Sequence, residues 1–185
     1  MAIRSGLSLR MLGSGLHSAL AMRHPNAHLG TYLNDHLAGA AAALEILDSL
    51  EKHQDPGLRR FAQGFRPPIL EDRDELIRLM RESNISISST RRAIGWIAEQ
   101  AAELKLKVDD PADSGLRTFE LLEILALGID GKRALWAVLR SIAEAVPSLR
   151  SADYRRLASR VEEQRATVEV RRIEWALVAF TASAP

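Results

Sequence analysis

Four long stretches of the chain carry apolar residues at three- and four-residue spacing, polar turns separate them, and no stretch alternates with period two. These observations predict an all-α fold, an antiparallel four-helix bundle with one accessory helix. The 185 residues, 46% hydrophobic and 26% charged, suffice for one domain with a real core and are too few for two comfortable ones. The bundle is placed at residues 28–182, behind an N-terminal extension at 1–27. There is no cysteine, which removes thiolate nucleophiles, zinc-thiolate sites, iron–sulfur clusters and disulfides and leaves the redox compartment unread. With 25 Lys+Arg against 24 Asp+Glu the formal charge is +1, without the basic excess that holds a phosphate backbone, so no nucleic-acid partner is expected.

No acidic residue precedes Asp35, while Arg4, Arg10 and Arg23 are interleaved with serines and leucines. The default reading of this stretch is a loosely ordered, mobile or surface-docked extension of a cytoplasmic, bacterial-type protein; the alternative is an organellar transit peptide. Arg and Ser interrupt its apolar letters every few residues, so no membrane span is expected.

In the first helix, at 28–53, Leu29, Leu33, Ala40, Ala43 or Leu44, Leu47 and Leu50 share one face. Residues 38–43 are all small, which lets a neighbouring helix approach closely at about 1 kcal/mol for the interior Gly39. Asp55 followed by Pro56 is an N-cap and a first-turn proline, and Leu58, Phe61, Ala62 and Phe65 continue a second helix. Pro67-Pro68 should kink it or make it restart at Ile69, after which Leu76, Leu79 and Met80 carry the stripe to about Glu82. Beyond a polar, β-branched stretch, Ser89 or Thr90 caps an accessory helix containing Ile94, Ile97, Ala101 and Leu104, with Trp96 alongside, to about Lys107. Residues 109–115 are loop chemistry and a candidate hinge. The third helix carries Leu116, Phe119, Leu122, Ala126 and Ile129, then Leu135, Trp136, Leu139 and Ile142, to about Ala145, with Gly131 as a candidate bend. Residues 146–151 make a turn with Ser151 as N-cap, and Leu157, Val161, Val168 and Trp175 define a fourth helix to about Phe180.

A four-helix bundle raises the question of an interior metal. A di-iron carboxylate bundle takes a Glu from each of two helices and a Glu-x-x-His from each of the others, because that spacing puts carboxylate and imidazole on one inward face. All five histidines, His17, His24, His28, His36 and His53, precede the second helix, so no Glu-x-x-His can form on the last three.

Within those limits, Leu33-Asn34-Asp35-His36-Leu37-Ala38 resembles the opening helix of the ferritin-like superfamily, where an acidic residue followed by small and apolar ones supplies the first metal carboxylate. The third helix, with Glu120, Glu123, Ala126 and Gly128, is similar to the Glu-x-x-Glu helix of small bacterial ferritin-like stress proteins. Glu162-Glu163-Gln164-Arg165-Ala166 is similar to their Glu-Glu-x-His-Ala. The resemblance runs over residues 28–180 and implies a ferritin-like bundle with a degenerate metal site. Arg165 stands where a ligating histidine would, and Asp74, in Glu71-Asp72-Arg73-Asp74, stands at the other such position. An inward Arg165 would neutralise the interior carboxylates as metal ions otherwise do, so no cofactor is expected. The alternative is a carboxylate site built from Asp35, Glu71, Asp74, Glu120, Glu123 and Glu162 and completed by His36, its oxygen ligands suited to Mn, Mg or Ca. On the family resemblance the ion would be Mn or Fe. His36 lies on the apolar stripe and is read as a core histidine bonded to a carboxylate, with a ligand role as the alternative.

Gly131-Lys132-Arg133 lacks the preceding strand and glycine spacing of a phosphate loop. The hydroxyls of residues 83–90 have no base beside them and are read as caps and turns. Trp96, Trp136 and Trp175 are in register with aliphatic residues and are read as core. The fourth helix carries Arg155, Arg156, Arg160, Arg165, Arg171 and Arg172 diluted by glutamates, a solvated face or, alternatively, a binder of an acidic surface. The leading expectation is a non-enzymatic, metal-free bundle acting through a protein partner or self-association.

Overall fold

The computed structural model describes residues 13–88 and 114–181, with side chains at 27–88 and 115–181. The described residues form α1 (Gly13–Leu50), α2 (Pro56–Glu82), α3 (Ser114–Ile142), a 3₁₀ turn (Pro147–Leu149) and α4 (Tyr154–Thr181). No strand occurs among them. No described helix is long and apolar enough to cross a membrane. The accessory helix expected at 89–107 lies outside the described residues, as does most of the expected hinge. Ser114 and Gly115, expected in that loop, are part of α3 instead. Gly115 sits close under α4, where an added Cβ would lie 3.3 Å from Val178 and 3.4 Å from the Ala179 backbone. α1 runs from Gly13, the first described residue, to Leu50, so the boundary expected between residues 27 and 28 falls inside a helix.

Asp55 caps α2 with extended backbone, its carboxylate accepting the Leu58 N–H at 2.7 Å. The helix then passes through Pro67 and Pro68 without restarting. Each proline removes one N–H, which leaves the carbonyls of Gln63 and Gly64 without their helical partners. Both residues are exposed, so those carbonyls can turn to water while Phe65 and Ile69 stay buried on the opposite face. The end of α2 is a Schellman turn: Ile85 N–H bonds to Met80 C=O at 2.8 Å and Asn84 N–H to Arg81 C=O at 3.0 Å. Asn84 takes the left-handed position, at φ 53°. Asn84→Val is therefore expected to lower stability by about 1–2 kcal/mol, whereas Asn84→Gly should leave the denaturation midpoint unchanged or higher.

α1 and α2 run in opposite directions. At one end Arg66 pairs with Asp48 and Glu51. At the other, the Asn34 amide donates to the Ser86 carbonyl at 3.1 Å and accepts the Ser88 N–H at 2.8 Å. α3 and α4 likewise oppose each other, with Glu123 paired to Arg172, Asp130 to Arg165 and Arg133 to Glu162. This is the most extensive interface between helices, followed by α1 with α2 and α1 with α3. α3 continues through Gly131 and ends at Ile142, short of the expected Ala145.

Ser151 does not cap α4. Asp153 does, its carboxylate accepting the Arg156 N–H at 3.0 Å, while Ser151 accepts from Arg78 at 3.0 Å and donates to Glu82 at 2.6 Å on α2. The same turn drives the fully buried Leu149 under α2, and the core-facing stripes of all four helices meet in one apolar cluster.

Candidate functional site

The stripe that each helix turns inward is interrupted by a polar residue. On α2, Leu58, Phe61, Phe65, Ile69, Leu76 and Leu79 leave a stripe position for Asp72. On α3, Leu122, Leu125, Ile129, Trp136 and Leu139 leave one for Lys132, and on α4, Leu157, Val161 and Val168 leave one for Gln164. The three meet. The Asp72 carboxylate, 3% exposed, accepts from Lys132 Nζ at 2.5 Å, from Gln164 Nε2 at 2.9 Å and from Arg160. Gln164 closes the group by accepting from Lys132 through Oε1 and reaching the Pro68 carbonyl at 3.4 Å. Arg160 extends to the surface, where it donates to Glu71 at 2.8 Å.

Asp72 and Lys132 also line a cleft of about 70 Å³ between α1, α2 and α3, to which α1 contributes His36. Two cations thus stand around one buried carboxylate. Burial pushes the Lys132 pKa down against the opposing pull of Asp72. Three side-chain donors, Lys132, Arg160 and Gln164, thus satisfy the buried Asp72 carboxylate.

The residues expected to form the site are elsewhere. Arg165 is a correction: it is 28% exposed and pairs with Asp130 at 3.2 Å and Glu169 at 2.6 Å on the flank of α4. One residue past Gln164 turns it about 100° off the inward stripe. Glu71 is exposed and meets Arg160, and Asp74 is exposed and meets Arg73 at 2.9 Å. Glu123 pairs with Arg172 at 3.1 Å and Glu162 with Arg133 at 3.6 Å, both on the outside of the α3–α4 pair. Asp35 is exposed and Glu120 half-buried. Among the described residues no three His, Asp or Glu side chains converge as metal ligands would. Arg165→Ala is accordingly expected to lower stability by no more than about 1 kcal/mol in denaturant titration, the range of a partly exposed ion pair.

The arginines of α4 are largely engaged within the chain. Arg172 and Arg165 hold the Glu169 carboxyl down to about 2, and Arg171 meets Glu174 at 2.7 Å. Trp136 is core and Trp175 is half-buried; Trp96 lies outside the described residues.

His36 packs edge-on against Tyr32, ring centres 4.6 Å apart, and burial lowers its pKa against the pull of Asp35. His53 belongs to the turn after α1. Its Nδ1 accepts the Asp55 N–H at 3.0 Å, which leaves the proton on Nε2, 3.3 Å from Thr118 Oγ1 on α3, and its ring meets Trp175 edge-on at 5.0 Å. Burial lowers its pKa, Asp55 opposing and Arg59 adding to the effect. Both groups bind a proton more readily unfolded than folded, so they stabilise the fold above their unfolded pKa near 6.5 and this contribution is lost as pH falls through the lower folded values. The denaturation midpoint is expected to drop between pH 7.5 and pH 5, and to drop less in His53→Asn.

Comparison with protein families, curated proteins and solved structures finds no match to this chain.

Proposed function

We propose that the chain is an antiparallel, ferritin-like four-helix bundle that holds no metal, performs no catalysis of its own and acts by pairing with a second copy of itself along the outer face of α4. The interior supports the first part. His36, Asp72, Lys132 and Gln164 each stand at a position that the apolar stripe of their helix leaves open, in the manner of a bundle that builds its site from facing helices. Two of the four are a cation and an amide, which match the Asp72 charge instead of adding to it.

The observation that carries the pairing is a strip on α4. Val170, Ile173 and Leu177 recur at spacings of three and four on the side opposite Leu157, Val161 and Val168, and Phe180, whose ring also meets Phe119 of α3 edge-on at 5.2 Å, continues the strip; each is 47–64% exposed. The strip is about 15 Å long. Its flanking charges are matched within the chain, Arg171 by Glu174 on one side and Glu169 by Arg165 and Arg172 on the other. A charged partner therefore finds little surplus to recognise. A second copy brings an identical apolar strip without like-charge repulsion, the self-complementary arrangement of a two-fold dimer. By sedimentation equilibrium the chain should be a dimer, and Leu177→Glu or Ile173→Glu a monomer of unchanged helicity. A monomeric native chain, or a Leu177→Glu variant that still dimerises, would overturn the proposal.

A further inference from the structure

We propose that the cleft between α1, α2 and α3 binds a small apolar monocarboxylate whose charge is recognised by Lys132. This is independent of pairing through α4. The cleft, about 70 Å³, is several times what a single water needs, so it admits a body of a few carbon atoms. Ala40 and Ala43 of α1, Ile69 and Leu76 of α2, and Leu125 and Trp136 of α3 give it apolar walls. Gly39 and Gly128 also line it, and a Cβ added at either would meet no atom within 4 Å. A glycine inside a helix is less stable than alanine by about 1 kcal/mol, and at neither position does packing require one. The two glycines leave room that the fold does not need.

The polar groups select the charge of the occupant, since donors outnumber acceptors. The Lys132 ammonium has three N–H groups, and Asp72 and Gln164 take two. The indole N–H of Trp136, deeply buried in the wall, has no acceptor. Arg73 stands on the lining as well, its guanidinium paired with Asp74 at 2.9 Å. Asp72, the one carboxylate among the lining residues, is already spent on Lys132, Arg160 and Gln164. His36, its pKa lowered by burial, adds a neutral ring near pH 7. Of the two cations around Asp72, Arg160 has a second carboxylate, Glu71, at 2.8 Å and is not among the lining residues, whereas Lys132 is on the cleft and shares Asp72 with it. An anion in the cleft meets the remaining Lys132 N–H and the unpartnered Trp136 indole N–H, and an aliphatic body suits the walls.

Isovalerate is the probe and isovaleramide its uncharged counterpart. In a nitrogen–proton NMR titration of the full chain, isovalerate should shift the amides of Gly39 and Gly128 saturably at about millimolar concentration, and isovaleramide should bind about tenfold more weakly or not at all. Gly128→Leu, which narrows the cleft and leaves the Asp72 cluster intact, should keep or raise the thermal midpoint and abolish the saturable shift. Lys132→Met should reduce isovalerate to the level of the amide; if that variant does not fold, Gly39→Leu serves as the second cleft-narrowing test. Equal affinity for acid and amide, no saturable shift with isovalerate, or undiminished binding in a folded Gly128→Leu or Gly39→Leu variant would overturn the proposal.

Discussion

Asp72→Ala is expected to lower the free energy of unfolding by about 3–5 kcal/mol, a large part of the stability of a domain this size. The loss comes less from the bonds removed than from what remains: Lys132 and Arg160 would be left as cations in the interior, and Gln164 would lose one of its partners. The sign reverses when the group is replaced as a unit. Substituting Asp72, Lys132, Arg160 and Gln164 together by apolar residues of similar volume should leave the midpoint near or above that of the native chain, because desolvating the charges offsets most of their attraction. Chemical denaturation of the single and the quadruple variants measures both. A single variant within about 1 kcal/mol of the native chain would mean that water reaches Asp72.

The second large effect is expected at Leu149. It lies in a three-residue 3₁₀ turn between α3 and α4, a segment that reads in the sequence only as a connection, yet it is fully buried and its turn packs against both α2 and α3. Leu149→Ala should lower stability by about 2–5 kcal/mol, the sum of lost transfer energy and an unfilled cavity. Leu177→Ala, with the same atoms removed from an exposed position of α4, should change the stability of the dissociated chain by less than about 0.5 kcal/mol. Equal losses at the two positions would show that Leu149 does not join the α1–α2 pair to the α3–α4 pair.

The helices were legible because their signals are local. Periodicity alone marks Leu58 to Leu79 and Leu122 to Leu139, and Asp55 is followed immediately by Pro56. Signals that depend on distant partners were not. Ser151 and Asp153 are both good capping residues, and what decides between them is that Ser151 is drawn to Arg78 and Glu82 of α2. Pro67 and Pro68 are tolerated because Gln63 and Gly64 face outward, which is a property of packing.

The interior site was half legible for the same reason. The test that places His36 on the inward stripe of α1 also selects Asp72, Lys132 and Gln164, since each occupies a position that the apolar residues around it leave open. A family-derived carboxylate pattern points instead to Arg165, Glu120 and Glu162, which are off those stripes. That Asp72, Lys132 and Gln164 stand at one height is a matter of register between helices, and no periodicity within a helix contains it.

Metal content tests the closed interior most directly. The full chain, purified without chelator or affinity metal and incubated aerobically with ferrous iron or with manganese, should after desalting hold far less than one metal ion per chain by elemental analysis, with Glu120→Gln indistinguishable from it. Near-stoichiometric metal that disappears in Glu120→Gln would contradict the account and make the acidic residues of this bundle a metal site.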